Sequence, residues 1–171
     1  MGRLILLSAL LLALTGCIEA GLGRVTPSQR LTLAEVKLDP ESARTMINGY
    51  RSKKGLKPLT MNAKLTQAAR RHSEDLAKHD KIGHKGSDGS DAWLRVKKTG
   101  YPALLAAENV GAGQMSLAEV FKGWQDSPSH NKNLLLPDAT QMGIALVRNP
   151  NSGYGTFWTL VLGTPVKPRQ Q

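Results

Sequence analysis

Four histidines are the side chains of this sequence best suited to chemistry, and their positions favour different roles. His84 leaves a predicted helix and enters the Gly-rich turn 86–90, and loops of this kind commonly carry functional residues. His72 lies on the apolar face of that helix, which favours a buried, hydrogen-bonded structural imidazole. His79 lies between two charged residues at the end of the helix and is predicted to be a surface residue.

His130 and Glu108 complete the set of candidate groups. His130 is the third residue of a short helical turn that begins at Ser127 and Pro128, and Ser127 is predicted to cap this turn with its side chain. The partial positive charge at the start of a helix disfavours imidazolium, so His130 is predicted to be neutral at pH 7, as a metal ligand or a general base must be. An ordinary surface histidine fits the same spacing. Glu108 follows the apolar stretch 102–107, so its carboxylate is either exposed or held by a partner.

Two helices are predicted to position the first of these residues. Asp39 followed by Pro40 predicts the start of the first helix, which ends before Gly55. The second helix is predicted to begin near Asn62 and to end at 78–79. Its apolar face follows the helical repeat through Leu65, Ala68, Ala69, His72 and Leu76.

Shorter helices are predicted in the middle of the chain. A short helix around 93–96 is closed by Gly100, and the segment 108–113 is predicted to be a loop or an edge strand. The residues from Ser116 to Glu119 form a capping-box pattern, which predicts a further helix. Its inward face is predicted to carry Val120, Phe121 and Trp124.

Two strands are predicted near the C-terminus. The segments 142–147 and 154–162 are apolar or alternating, and the turn residues at 149–153 predict that they form a hairpin. Trp158 in the second strand is predicted to be a core residue. Because helices come first and an antiparallel strand pair comes last, the sequence predicts an α+β fold.

The N-terminus has the pattern of an export signal. Arg3 precedes the eleven-residue apolar run 4–14, which is too short to span a bilayer and typical of a signal peptide. The run leads into Leu14-Thr15-Gly16-Cys17, which resembles a bacterial lipobox. This predicts a signal peptide over 1–16 and acylation of Cys17; the alternative is an ordinary signal peptide with an incidental cysteine. Cys17 is the only cysteine, so no disulfide forms within the chain.

The rest of the chain divides into a tether, one domain and a tail. Residues 17–37 hold the acylated cysteine and a tether without a sustained repeat, 38–164 are predicted to form a single domain, and 165–171 a polar tail. The protein is therefore predicted to be anchored to the cell envelope by its lipid. Because Ile18, not Asp, follows Cys17, the outer membrane is favoured in an organism with two membranes.

The charge of the chain limits the classes of partner. There are 23 Lys and Arg against 13 Asp and Glu, and removal of 1–16 takes away Arg3 alone, which leaves a net charge of +9. Such a protein is attracted to anionic lipid head groups and wall polymers, although a basic surface that is merely solvated explains the charge equally well. No nucleic-acid-binding pattern is present, and export argues against such a partner.

Several short motifs together resemble the bacterial form of the CAP superfamily, also called SCP/PR-1-like. They occur in that family's order and spacing over roughly 40–164. The motifs are 47–51 with 55–59, 68–77, 84–90, Arg95 with Gly100-Tyr101, 108–110, Trp124 with 127–135, 143–145 and 157–159.

The resemblance implies a three-layer α-β-α sandwich with a central antiparallel sheet. It also implies a cleft that brings together His84, Glu108 and His130, with His72 nearby. Two neutral imidazoles and one carboxylate suit Zn²⁺, which makes these three residues a candidate metal site with an open coordination position. Eukaryotic relatives carry a further histidine later in the chain and an acid shortly after the tryptophan; here no histidine follows His130, and Ser127 stands three residues after Trp124.

Three functions fit these predictions. The first is a non-enzymatic binding module that holds a lipid, an envelope component or a partner protein at the histidine cleft. The second is a metal-dependent hydrolase of peptides or esters that uses the same residues, although the sequence has no serine nucleophile elbow. The third is a structural envelope protein with a vestigial cleft. The sequence predicts no particular oligomeric state.

Overall fold

The computed structural model describes residues 33–167, in which helices and strands follow one another along the chain. The elements are a 3-10 turn at Leu33–Glu35, α1 (Pro40–Ser52), β1 (Thr60–Met61), α2 (Ala63–His79), α3 (Ala92–Lys98), β2 (Ala103–Ala112), α4 (Leu117–Asp126), α5 (Pro128–Leu134), β3 (Gln141–Arg148) and β4 (Thr156–Pro165).

Side-chain caps explain where most of the helices begin. Asp39, Asn62 and Ser116 each accept a hydrogen bond from a backbone N–H of the first turn of α1, α2 and α4. These three predicted starts are confirmed. Ser127 occupies the N-cap position of α5, but its hydroxyl does not cap the helix and instead lies 3.2 Å from the hydroxyl of Ser129. The predicted side-chain cap at Ser127 is therefore wrong.

The strands form one sheet in the order β1-β3-β4-β2. Strands β3 and β4 are the predicted hairpin, and both β3 and β2 pair antiparallel with β4. The two-residue strand β1 adds to the outer edge of β3 in parallel. The sheet is thus antiparallel as predicted, except at this short edge. The segment 108–113, predicted as a loop or an edge strand, largely belongs to β2, a ten-residue edge strand.

The two faces of the sheet pack against different helices, which produces the three predicted layers. Alternate residues of β4 face opposite sides. Val161 packs against Leu65 of α2, whereas Trp158 packs among residues of α1, α4 and α5, including Trp124. Trp124 and Trp158 keep 2% and 0% of their surface exposed, so both predicted core tryptophans are confirmed.

A glycine lets α2 lie directly on the sheet. A Cβ atom at Gly143 of β3 would lie 2.0 Å from the backbone N of Thr66 and 2.3 Å from the carbonyl carbon of Leu65. Only a residue without a side chain permits this approach. The contact fixes the first turn of α2 on the sheet, and His72 lies two turns further along the same helix.

The packed domain is slightly longer than predicted at both ends. Leu33 and Val36 are 2% and 6% exposed and belong to the core, although residues up to 37 were predicted to be tether. Pro165, predicted as the first tail residue, ends β4. The predicted signal peptide and Cys17 lie outside the described residues. Within 33–167, no helix is both long and apolar enough to cross a membrane.

Candidate functional site

The centre of the candidate site is the carboxylate of Glu108, which lies inside strand β2. Its side chain is 2% exposed. Oε1 accepts hydrogen bonds from His84 Nδ1 and from Arg95 Nη2, both at 2.9 Å, and Oε2 accepts a second one from Arg95 Nη2 at 2.7 Å. Of the two states predicted for this carboxylate, exposed or held by a partner, the structure shows the second.

Arg95 of α3 is the partner that makes this burial possible. Its charge neutralises the buried carboxylate. The same guanidinium donates hydrogen bonds to the carbonyl oxygen of Ser90 at 2.7 Å and to that of His84 at 2.9 Å. It therefore anchors the turn that carries His84 as well as Glu108. Arg95 belongs to one of the motifs that resemble the CAP superfamily, but its position in the sequence does not predict this role.

His72 supports the site from α2 and is fully buried. Its Nε2 lies 2.9 Å from the carbonyl oxygen of Gly83 and 3.5 Å from Glu108 Oε1. Burial lowers the pKa of His72, with the nearby Glu108 opposing the shift. Because a carbonyl oxygen only accepts, Nε2 carries the proton of the neutral ring. His72 is thus buried and hydrogen-bonded, as its place on the apolar face of the helix predicts.

His84 is the exposed member of the site, with 57% of its side chain accessible. The hydrogen bond to Glu108 raises the pKa of His84, while partial burial opposes the shift. With Nδ1 engaged by the carboxylate, Nε2 is the ring nitrogen left for a ligand. His84 thus presents a held, readily protonated imidazole at the surface.

His130 of α5 lies across from His84, with 6.5 Å between the ring centroids and 50° between the ring planes. Burial and the neighbouring charge of His84 lower the pKa of His130. A lowered pKa agrees with the predicted neutral state of His130. The physical causes are burial and the charge of His84, whereas the sequence predicted this state from the position of His130 at the start of a helix. The site therefore pairs a histidine that favours protonation with one that disfavours it.

Two asparagines hold α5 against β2. Asn109 Nδ2 donates to the carbonyl oxygen of His130 at 3.0 Å, and Asn133 Nδ2 donates to Glu108 O and Asn109 Oδ1, both at 2.9 Å. The bonds fix the position of His130 relative to Glu108. Both asparagines lie within the quoted motifs, yet no sequence signal assigned them this role.

Comparison with known proteins identifies the family. The model of the CAP family, described as the cysteine-rich secretory protein family, matches residues 44–162. The chain belongs to the CAP family. The resemblance inferred from the sequence motifs is confirmed.

Two curated relatives from Bacillus subtilis (strain 168) are similar in sequence to this CAP domain. The uncharacterized protein YkwD is 32% identical over 114 residues, which cover 67% of this chain and 42% of that protein. The uncharacterized membrane protein YlbC is 26% identical over 103 residues, which cover 60% of this chain and 30% of that protein. The alignments thus span less than half the length of either relative.

Solved structures share the fold. An outer surface protein from Borrelia burgdorferi has a TM-score of 0.67 at 19% identity, covering 84% of this chain and 98% of that one. An extracellular protein containing a SCP domain from Bacillus anthracis str. Ames has a TM-score of 0.65 at 22% identity, covering 82% of this chain and 44% of that one. At these identities the likeness concerns the fold alone.

The three predicted zinc ligands, His84, Glu108 and His130, are not arranged to bind a metal ion in this structure. Within residues 33–167, no group of three or more His, Cys, Asp or Glu side chains is arranged to hold a metal ion. Both oxygens of Glu108 are engaged by Arg95, and one of them also by His84. A carboxylate with these donors is a poor metal ligand, so the donor set of His84, Glu108 and His130 does not fit Zn²⁺ in this arrangement.

His72 should make the stability of the domain sensitive to acid. Its folded pKa lies below the ordinary value of 6.5, so the unfolded chain takes up the proton first as pH falls. The contribution is fully present above pH 6.5 and is lost as pH falls through the folded pKa. Chemical unfolding between pH 7.5 and 5 should show a steeper loss of stability for wild type than for His72→Gln, by up to about 1.4 kcal/mol per pH unit.

The difference in pH dependence of stability between wild type and His72→Gln isolates the contribution of His72 from those of the other titrating groups. His84 contributes in the opposite direction, because its raised pKa favours the folded state at low pH. His84 is present in both proteins, as is His130. Equal pH slopes for wild type and His72→Gln would contradict the assignment.

Proposed function

We propose that this protein is an exported binding module that holds an acidic group of an envelope component at His84. The observation that supports the proposal is the arrangement of this histidine: its Nδ1 is held by buried Glu108, while most of its ring is exposed beside His130. A fixed imidazole is a pre-organised donor, which reduces the entropy lost on binding.

The electrostatics of the site favour an anionic ligand. The hydrogen bond to Glu108 raises the pKa of His84, so its imidazolium persists to higher pH than that of an ordinary histidine. The imidazolium donates from Nε2, and phosphate and carboxylate oxygens accept such charge-assisted bonds. The net charge of +9 in the chain without residues 1–16 adds a general attraction to anionic surfaces.

The hydrogen bonds favour binding over hydrolysis by a protein nucleophile. Among residues 33–167, no Ser, Thr or Cys side chain is hydrogen-bonded to the ring of His84 or of His130: His84 Nδ1 bonds to Glu108, and the hydroxyls of Ser127 and Ser129 near His130 pair with each other. An activated nucleophile requires such contact with a base. The hydrolase alternative therefore depends on an activated water, and no further observation favours it.

Phosphate binding tests the proposed ligand class. Titration of inorganic phosphate is followed through the histidine Cε1–H NMR signals and should shift the signal of His84. The affinity for phosphate should weaken as pH rises through the pKa of His84, because the imidazolium is then lost. His84→Ala should weaken this binding by about tenfold or more, as expected for a charge-assisted hydrogen bond. His79→Ala, which removes another partly exposed histidine, should leave it unchanged. Equal affinities for all three proteins would contradict the proposal.

Export and anchoring are part of the proposal. The structural relatives from Borrelia burgdorferi and Bacillus anthracis are described as outer surface and extracellular proteins. In this chain, the apolar run 4–14 and the lipobox-like sequence ending at Cys17 are an export signal at the sequence level. Together they support an envelope location with the domain outside the cytoplasm.

Replacing Cys17 should abolish the anchor. Without the thiol no acyl chain can be attached, so Cys17→Ser should leave an uncleaved precursor or release the protein into the soluble fraction. Ser28→Ala, a similar change in the tether, should stay in the membrane fraction with the acylated mature mass. Membrane fractionation measures the location of each variant, and intact mass measurement shows whether it is processed and acylated. A Cys17→Ser protein that keeps the mature mass and the membrane location would refute acylation.

A further inference from the structure

The outward side of α3 carries two large apolar side chains that are exposed to solvent. Arg95 and Val96 point into the domain and are 7% and 0% exposed, whereas Trp93 and Leu94 are 41% and 45% exposed. Within residues 33–167 these two are the only consecutive pair among the exposed large hydrophobic residues. Single exposed apolar residues are common on protein surfaces, but a tryptophan beside a leucine forms a patch that another apolar phase can cover.

Two lysines share this side of the helix. With 3.6 residues per turn, Lys97 and Lys98 lie on the same side of α3 as Trp93 and Leu94, and all four residues are exposed. Lys97 Nζ lies 5.9 Å from the centroid of the Trp93 ring and has no acidic partner among residues 33–167. These four side chains form the α3 face.

The surroundings of the α3 face supply further cations. Lys64 and Arg71 of α2 flank the helix: the first donates to a backbone carbonyl just beyond α3, and the second shares a cavity wall with Lys98. Both acids that precede the helix are engaged, Asp88 by Lys98 and Asp91 as the N-cap. An apolar centre with cations beside it is typical of a helix that lies in a membrane interface, where tryptophan is enriched and lysine reaches the lipid phosphates.

We propose that the α3 face docks on the bilayer to which Cys17 anchors the chain; this inference rests on the anchoring proposed above. Leu33, the first described residue, follows Cys17 by sixteen positions, which span at most about 55 Å. An anchored domain therefore stays beside the membrane, so docking becomes an intramolecular step. A protein partner is less favoured, because a stable interface takes about 20–30 residues on each side.

Tryptophan quenching tests the proposal on the acylated mature chain, reconstituted into vesicles of phosphatidylethanolamine and phosphatidylglycerol. In one set of vesicles the acyl chains are brominated, and bromine quenches a tryptophan only in close contact. Trp124 and Trp158 are buried in the core, so a loss of emission relative to unbrominated vesicles reports Trp93. The loss should disappear in Trp93→Phe. It should persist in 1 M salt, where a Debye length of about 3 Å screens charge attraction but not apolar insertion.

A charge placed in the α3 face should prevent docking. Leu94→Asp should remove most of the quenching of Trp93 and keep the midpoint of urea unfolding, because a carboxylate opposes transfer into an apolar phase. Ile82→Asp is the matched control. Ile82 is 44% exposed, close to the value for Leu94, but it lies in the turn after α2 and outside the α3 face, so the quenching should be unchanged.

Flotation of the vesicles separates docking from anchoring. Protein that floats with the vesicles but is not quenched by bromine refutes docking, while the anchor stands and a protein partner becomes the better occupant of the α3 face. Quenching that is lost in 1 M salt, or lost equally in both aspartate variants, also refutes docking. Protein that does not float contradicts the anchor and this inference with it. Phosphate binding at His84 is independent of all these results.

Discussion

Replacing Gly143 by alanine should destabilise the domain by about 3 kcal/mol or more, at or above the upper end of the usual effect of overpacking. The new Cβ would lie 2.0 Å from the backbone N of Thr66. No rotamer change relieves a clash between a Cβ atom and backbone atoms, so α2 must lift from β3. That movement opens the core around Leu65 and displaces His72.

Gly123 provides a matched control for this substitution. It lies on the exposed side of α4, and a Cβ there meets nothing within 4 Å. Gly123→Ala should keep the stability or raise it by about 0.5–1 kcal/mol, because alanine favours a helix interior over glycine. Urea unfolding followed by tryptophan fluorescence measures both variants. A Gly143→Ala midpoint equal to that of wild type would contradict the close approach of α2 to the sheet.

The sequence predicted those parts of the fold that local signals determine. Asp39, Asn62 and Ser116 cap their helices through contacts within four residues, and the hairpin follows from strand alternation and turn residues. The burial of Leu33 and Val36 was missed because it depends on packing against distant helices and strands. The role of Gly143 likewise depends on a helix far away in sequence.

The same distinction applies to the candidate site. Family resemblance placed His84, Glu108 and His130 together, and the structure brings the ring of His84 to both of the others. The buried carboxylate required a partner, but the sequence does not identify Arg95 on the separate helix α3. Because Arg95 donates hydrogen bonds to both oxygens of Glu108, this carboxylate is not available as the third ligand of the predicted zinc site.

Replacing Arg95 by methionine should cost about 3–5 kcal/mol of stability, the usual effect of removing one partner of a buried ion pair. The carboxylate of Glu108 would stay 2% exposed without its cation, and the hydrogen bonds to Ser90 O and His84 O would be lost. Lys98→Met is the matched control on the same helix. Its pair with Asp88 is about half exposed on both sides, so its loss should cost at most about 1 kcal/mol.

A double-mutant cycle with Glu108→Gln gives the sharper test. In wild type, Glu108→Gln should be destabilising because it leaves Arg95 buried without its anion. In the Arg95→Met background the same change should be stabilising, because it removes a buried charge that has lost its cation and leaves a neutral amide oxygen to accept from His84. Glu108→Gln should also lower the pKa of His84 by removing the bond that raises it. Urea unfolding of the four proteins and NMR titration of His84 measure these effects; additive losses would show that Arg95 and Glu108 do not act as a pair.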